Sequence, residues 1–387
     1  MFNHFINNQN IMKTYQLILA AALVAITGCT KSNVVNNVEK ESNEIGFQTV
    51  VRKATKANNA IISGTTYDTD GTNSFNVWGW LSQTGNLETD PALTADLASN
   101  FMTGLKIEWT RGRNGETSDT PLAWRNKDNY YYWPFTGAIG FLAVHPSTVS
   151  TVSASWDAAN HKAKATIADY AITADSKTTD LMFAYASGSR TSGLTEGKLG
   201  LTFAHALSQI QFRIRTNEDY SEDVTFTVNS ITLNNIDLSG DLAYGWGEIT
   251  PAVEETPAVM GFKFVWTDNT DQDDPWAYYS VAQNAVYPTD GLDANAATYG
   301  NANVMIPQLA NTLGESDEVE TTITINYTMT PTIGAAATGD ITVSAPHLWE
   351  AGKKYMYTLN FKLNEILFDP TVTNWVTVNV DTINIFD

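Results

Sequence analysis

Cysteine is almost missing from this chain. Cys29 is the only one among 387 residues, so no intramolecular disulfide can form, and stability must come from packed cores and sheet pairing. Basic residues are scarce too: 22 Lys and Arg stand against 42 Asp and Glu, for a formal net charge of −20. That balance repels nucleic acid and anionic lipid and favours solubility. The apolar run at residues 17–26 (LILAAALVAI) falls well short of the roughly 20 residues that a bilayer core requires. The signatures of common enzyme sites are also missing: there is no GxSxG elbow, HExxH helix, P-loop or GxGxxG turn. His145, His161, His205 and His347 are scattered without metal-ligand spacing, and no pair of carboxylates is marked out. Neither an enzyme nor a cofactor is expected.

What is present starts with that short apolar run. It has the length of a signal-peptide h-region, Lys13 supplies the positive n-region, and Ile26, Thr27 and Gly28 lead into Cys29 as in a bacterial lipobox. Residues 1–11 carry no Lys or Arg, so Met12 reads as the natural start. Residues 1–28 are then a signal peptide and Cys29 is a lipidated N-terminus. Residues 29–44 form a polar tether to an outer membrane. Removing residues 1–28 takes away one charge, Lys13, leaving 21 basic and 42 acidic residues, or 21 − 42 = −21.

Beyond the tether the chain reads as all-β. Aromatics reach 11% while charged residues are only 17%, and short apolar runs alternate with Gly, Asn, Asp and Pro clusters. Ile210, Phe212 and Ile214 alternate with polar residues, as do Ile323, Ile325, Tyr327 and Met329, and Tyr355, Tyr357, Leu359, Phe361 and Leu363. Such a chain favours antiparallel sandwiches, because parallel sheets need long crossovers, usually helical. One short helix is expected over residues 92–102, with Leu93, Leu97 and Phe101 on one face. The polar stretch at 216–223 suggests a boundary between two β-sandwich domains, 45–217 and 218–387. Near the C-terminus, Val376, Val378 and Val380 share one phase and Ile383 and Ile385 the other, which implies a bulge near Asp381 and Thr382.

Three further features invite a functional reading. Asp68, Asp70 and Asn73 around Gly71 resemble the start of a calcium loop, but the expected bidentate acid is missing, and a plain turn is the better reading. Exposed faces among the eleven tryptophans would suit a glycan, with Trp276 the best placed for exposure, although core filling is the default for aromatics in strands. Finally, Ile45, Phe47, Thr49 and Val51 alternate along a candidate strand that ends at the dibasic Arg52 and Lys53. A basic strand end often guards a sheet edge, and an exposed dibasic junction is also a protease target. Cutting there would free the strand and open an apolar groove.

Several segments taken in order resemble the fimbrillin family of Bacteroidia, which includes the stalk, anchor and tip subunits of type V pili. They are the lipobox at Cys29, the Ile45–Phe47 strand with its following arginine, DLMFAYA (Asp180–Ala186) and LTFAHALSQIQFRI (Leu201–Ile214). MIPQ (Met305–Gln308) and WEAGKKYMYTLNF (Trp349–Phe361) complete the set. The resemblance implies two tandem transthyretin-like Greek-key β-sandwiches and export as an acylated lipoprotein. It also implies cleavage after Arg52 by an arginine-specific protease. The strand Ile45–Val51 would be displaced, and a donor strand from a neighbouring subunit would fill the groove. The matching donor segment is Trp375 to Phe386, with Val376, Val378, Val380, Ile383 and Ile385 as its apolar positions. The partners implied are other fimbrial subunits, the outer membrane through lipid, and a surface receptor. The alternative from the residues alone is a monomeric surface lipoprotein that binds glycan through exposed aromatics.

Overall fold

Strands account for nearly all regular structure. A computed structural model describes residues 43–51, 73–111, 122–195, 197–216, 222–250, 258–268, 276–279, 283–284, 297–309, 321–345, 348–361 and 366–374. Ile45–Asp387 forms one compact unit.

The largest sheet has eight strands in the order Phe47–Val51, Ala123–Arg125, Met102–Thr110, Ser74–Ser82, Ala138–His145, Met182–Gly188, Lys198–His205 and Leu194–Thr195. Its first strand also pairs with Lys198–His205, so the first seven strands close into a ring. Inside lies a core that includes Phe47, Phe75, Trp124, Phe141 and Phe203. Part of this sheet is buried on its outer face as well. There Leu142, Val144, Phe183, Trp78 and Trp80 pack against a four-stranded sheet in the order Val259–Asp268, Ser239–Thr250, Lys162–Ala171 and Val152–Asp157. Burial on both faces explains why Ala138–His145 (AIGFLAVH) reads as a continuous apolar run without alternation.

A second sandwich follows directly. Ala206 and Leu207 lead from the ring into Ser208–Thr216, which sits between Ala297–Met305 and Lys353–Phe361, with Ile366–Asn374 at the far edge. The facing sheet has Val224–Asn234 and Thr322–Pro331 at its centre and Ala337–Ser344 at one edge. Trp276–Tyr279 and Gln283–Asn284 both pair with Val224–Asn234. Between the two sheets lie Ile210, Phe212, Ile214, Ile323, Ile325, Tyr355, Tyr357, Leu359 and Phe361, all buried, as their alternation requires. Backbone bonds join the sandwich to the end of the ring where the first strand finishes: Val304 N–H donates to Lys177 O, and Gly352 N–H to Leu207 O, at 2.8 and 2.9 Å.

The expected helix needs correction, and two features of the sheets add to the expected pattern. Sheet membership crosses residue 217: Ser208–Thr216 pairs with Lys353–Phe361, while Ser239–Thr250 pairs with both Val259–Asp268 and Lys162–Ala171 beside the ring. The helix at 92–102 reduces to a 3-10 turn, Pro91–Leu93, capped by Asp90, whose Oδ1 accepts from Ala92 N–H at 2.8 Å. Its backbone groups go to neighbours instead of to a helical ladder. Leu97 O accepts from Trp156 N–H and the Trp80 indole, and Phe101 N–H donates to Gly79 O. Two pairings are parallel, Phe47–Val51 with Leu199–Phe203 and Gln209–Thr216 with Lys354–Phe361. Their crossovers are long excursions through other strands, which serve the purpose expected of helices.

Candidate strand-acceptor site

The first strand has the alternation of a half-buried segment, and the ring uses it that way. Ile45 and Phe47 are 3% and 1% exposed and Thr49 is also buried, whereas Gln48 and Val50 face solvent. Phe47 meets Phe75 and Phe141 edge-on, at centroid distances of 6.1 and 5.4 Å. Phe75 in turn contacts Trp124 at 5.5 Å and Phe203 at 5.3 Å, so both flanking strands contribute rings to one aromatic cluster.

The strand is held unequally on its two sides. Toward Lys198–His205 five residues pair in parallel, from Phe47 with Leu199 to Val51 with Phe203. Toward Ala123–Arg125 there is a single antiparallel pair, Phe47 with Trp124. At the entry Ile45 N–H donates to Tyr131 O at 2.7 Å, and Leu199 N–H donates to Gly46 O at 3.0 Å. Withdrawing the strand would open the ring between Trp124 and Leu199. It would uncover Phe75, Phe141, Leu201 and Phe203 and leave the Lys198–His205 edge without its ladder.

Beyond the exit of the strand lies a buried polar group. His145 and His205 both stand in register with Met182 on the strand between them. His205 Nδ1 lies 2.5 Å from Asp180 Oδ2, with the carboxyl fully buried. His145 Nδ1 lies 3.1 Å from Ser74 O. Burial pushes the His145 imidazole down to about 4, against the opposing pull of Asp180 and the Ser74 carbonyl. The flanking DLMF and FAHA segments gave no hint of this pairing, because Asp180 and His205 are distant in sequence.

Of the other expected site residues, Cys29, Met12, Arg52, Lys53, Asp68 and Asp70 lie outside the described residues. So do Trp375, Val376, Val378, Val380, Ile383 and Ile385. The backbone of Val51 pairs with Phe203, and Asn73 is half-buried just ahead of Ser74–Ser82. The strand preceding the expected donor segment, Ile366–Asn374, runs antiparallel to Lys353–Phe361 and returns Asn374 to the level of Lys353. Among the described residues no group of His, Cys, Asp and Glu is arranged to hold a metal, and no helix is long and apolar enough to cross a membrane. Trp78, Trp80, Trp124, Trp133, Trp156 and Trp349 are buried, so they fill cores. The side chain of Trp276 is outside the description. The residues that receive the first strand, Trp124, Tyr131, Phe141 and Phe203, carry no local signal that would have identified them.

A family model described as fimbrillin-like matches residues 55–375. The matched stretch leaves out both the first strand and nearly all of the C-terminal candidate segment. The fold is shared with a fimbrial protein from Bacteroides vulgatus ATCC 8482, at a TM-score of 0.54 and 19% identity over 86% of this chain and 100% of that one. A putative cell adhesion protein from Bacteroides ovatus ATCC 8483 aligns at a TM-score of 0.42 and 14% identity, over 87% of this chain and 99% of that one. No curated protein sequence matches the chain significantly.

Proposed function

Because the chain belongs to the fimbrillin-like family, we propose that it is a non-enzymatic structural or adhesive subunit of a cell-surface fimbria. In this reading it is exported as a lipoprotein acylated at Cys29 and held at the outer membrane. Cleavage after Arg52 then releases the strand Ile45–Val51, and a neighbouring subunit fills the opened ring with a segment drawn from Trp375 to Phe386. Its partners are other fimbrial subunits and a surface receptor.

One observation carries this reading: the first strand closes a ring through buried Ile45 and Phe47, yet only one residue pair joins it to Ala123–Arg125. Such a strand completes the core and can leave without any other strand being broken. The test is N-terminal sequencing of surface material from cells carrying wild-type chain or Arg52→Ala, alongside an unheated detergent gel. The wild type is expected to begin at Lys53 and to run as a ladder, and the variant to retain the acylated end and run as a single band. Ordinary ladders from Arg52→Ala would remove cleavage from the mechanism.

A further inference from the structure

The end of the ring where the first strand enters carries exposed aromatic side chains. In Tyr130–Phe135 two side chains point inward: Tyr131 packs on Phe101 at 6.1 Å, and Trp133 stands perpendicular to Phe141 at 5.9 Å. Others point outward. Tyr132 is 40% exposed and stacks at 6.0 Å on the half-buried Tyr130, and Phe135 is 86% exposed with the Arg190 guanidinium 5.6 Å from its ring centroid. The inward pair and the Ile45 N–H bond to Tyr131 O brace this backbone. Exposed rings grouped on a braced backbone are the kind of surface that suits a contact.

The two ends of the ring are not equivalent. At the end where Val51 exits, Ala206 and Leu207 run straight into the second sandwich, which bonds back to the ring through Val304 and Gly352. That end is occupied. A strand arriving from a neighbour brings the neighbour's body with it, and since the second sandwich already holds the Val51 end, that body comes to the Ile45 end. Building on the fimbrial reading above, we infer that Tyr130, Tyr132 and Phe135 form the seat for a second copy of this chain, whose C-terminal segment takes the place of Ile45–Val51. The seat also sets polarity. A C-terminal segment has its body behind its first residue, so it would enter beside Tyr131 and run parallel to Lys198–His205, in the direction of the strand it replaces. Aromatic residues at the centre of a contact are those that carry most of its binding energy.

The test uses the full chain on cells, as wild type and as the double variant Tyr132→Asp/Phe135→Asp. Both positions are exposed, so the melting temperature and the N-terminal sequence should stay unchanged. The detergent-resistant ladder should fall by about tenfold or more, and Tyr132→Phe/Phe135→Tyr should restore it. If the double variant melts lower, Phe135→Ser alone is read in the same way. A full ladder from a folded, processed Asp variant overturns the seat. So does loss of signal on a glycan array with the ladder intact, which would assign the rings to a saccharide. A wild-type chain that never forms a ladder defeats the fibre reading and the seat together, a result distinct from loss in the variant alone.

Discussion

Phe47→Ala tests whether the first strand is a separable piece held by its side chains. The ring is 1% exposed and lies against Phe75 and Phe141. Truncating a phenylalanine so placed costs about 3–5 kcal/mol through lost burial and the cavity left behind. Val50, on the same strand, is 41% exposed, so Val50→Ala should cost under about 1 kcal/mol. The amide of Leu199 is the reporter, because it donates to Gly46 O and is freed when the strand leaves. At about 1.4 kcal/mol per tenfold, its hydrogen exchange should quicken by roughly a hundredfold to a few thousandfold in Phe47→Ala, and by less than about tenfold in Val50→Ala. The amide of Ala345, which donates to Thr321 O in the second sandwich, is the control and should exchange as in wild type. If Leu199 and Ala345 quicken together, the strand opens only with the whole molecule, and the idea of a detachable plug is wrong.

Acid should weaken the ring. The His145 imidazole falls from 6.5 to about 4 on folding, so between those values the unfolded chain binds the extra proton and stability drops as pH falls. The loss should approach about 3 kcal/mol by pH 4 in denaturant titrations, and it should flatten in His145→Asn, which keeps a donor for Ser74 O. In the second sandwich, Tyr357→Phe strips the buried Trp349 indole of its acceptor, now 2.8 Å away, and should cost about 1–3 kcal/mol by thermal melt. Tyr355→Phe, whose hydroxyl accepts from Glu350 N–H at a partly exposed site, should cost less.

Local pattern made some of this architecture readable and left the rest hidden. Ile210, Phe212 and Ile214 alternate because one face of their strand meets a core, and the same logic made Ile45, Phe47 and Thr49 visible as inward positions. In Lys353–Phe361 Tyr355, Tyr357, Leu359 and Phe361 alternate, yet Met356, Thr358 and Asn360 between them are buried too, so both faces of this strand are covered. Phe47 is paired with Leu199, far along the chain, and no local periodicity can announce such a neighbour. The strands on either side of the polar stretch at 216–223, Ser208–Thr216 and Val224–Asn234, belong to two different sheets. At the site, the strand was legible and its receptor was not: the rings of Trp124, Phe141 and Phe203 belong to strands whose adjacency only the closed ring reveals.

The lopsided hold on the first strand bears on how an exchange could proceed. Any extended segment laid along Lys198–His205 can form the same main-chain bonds, so the ladder cannot tell the chain's own strand from a neighbour's. The choice falls to the inward side chains and to covalent connection. While Val51 is joined to Arg52, the strand competes as an intramolecular ligand, with an effective concentration that a free neighbour does not reach. Its side chains are also well matched, since Phe47 sits in an aromatic pocket that a valine such as Val378 would leave partly empty. An intact chain should therefore keep its own strand, and a cut at Arg52 would remove the first of these two advantages. The residual preference for Phe47 is a matter of packing, which a neighbour would have to overcome by adding contact outside the groove, and the exposed Tyr132 and Phe135 lie at the strand's entry.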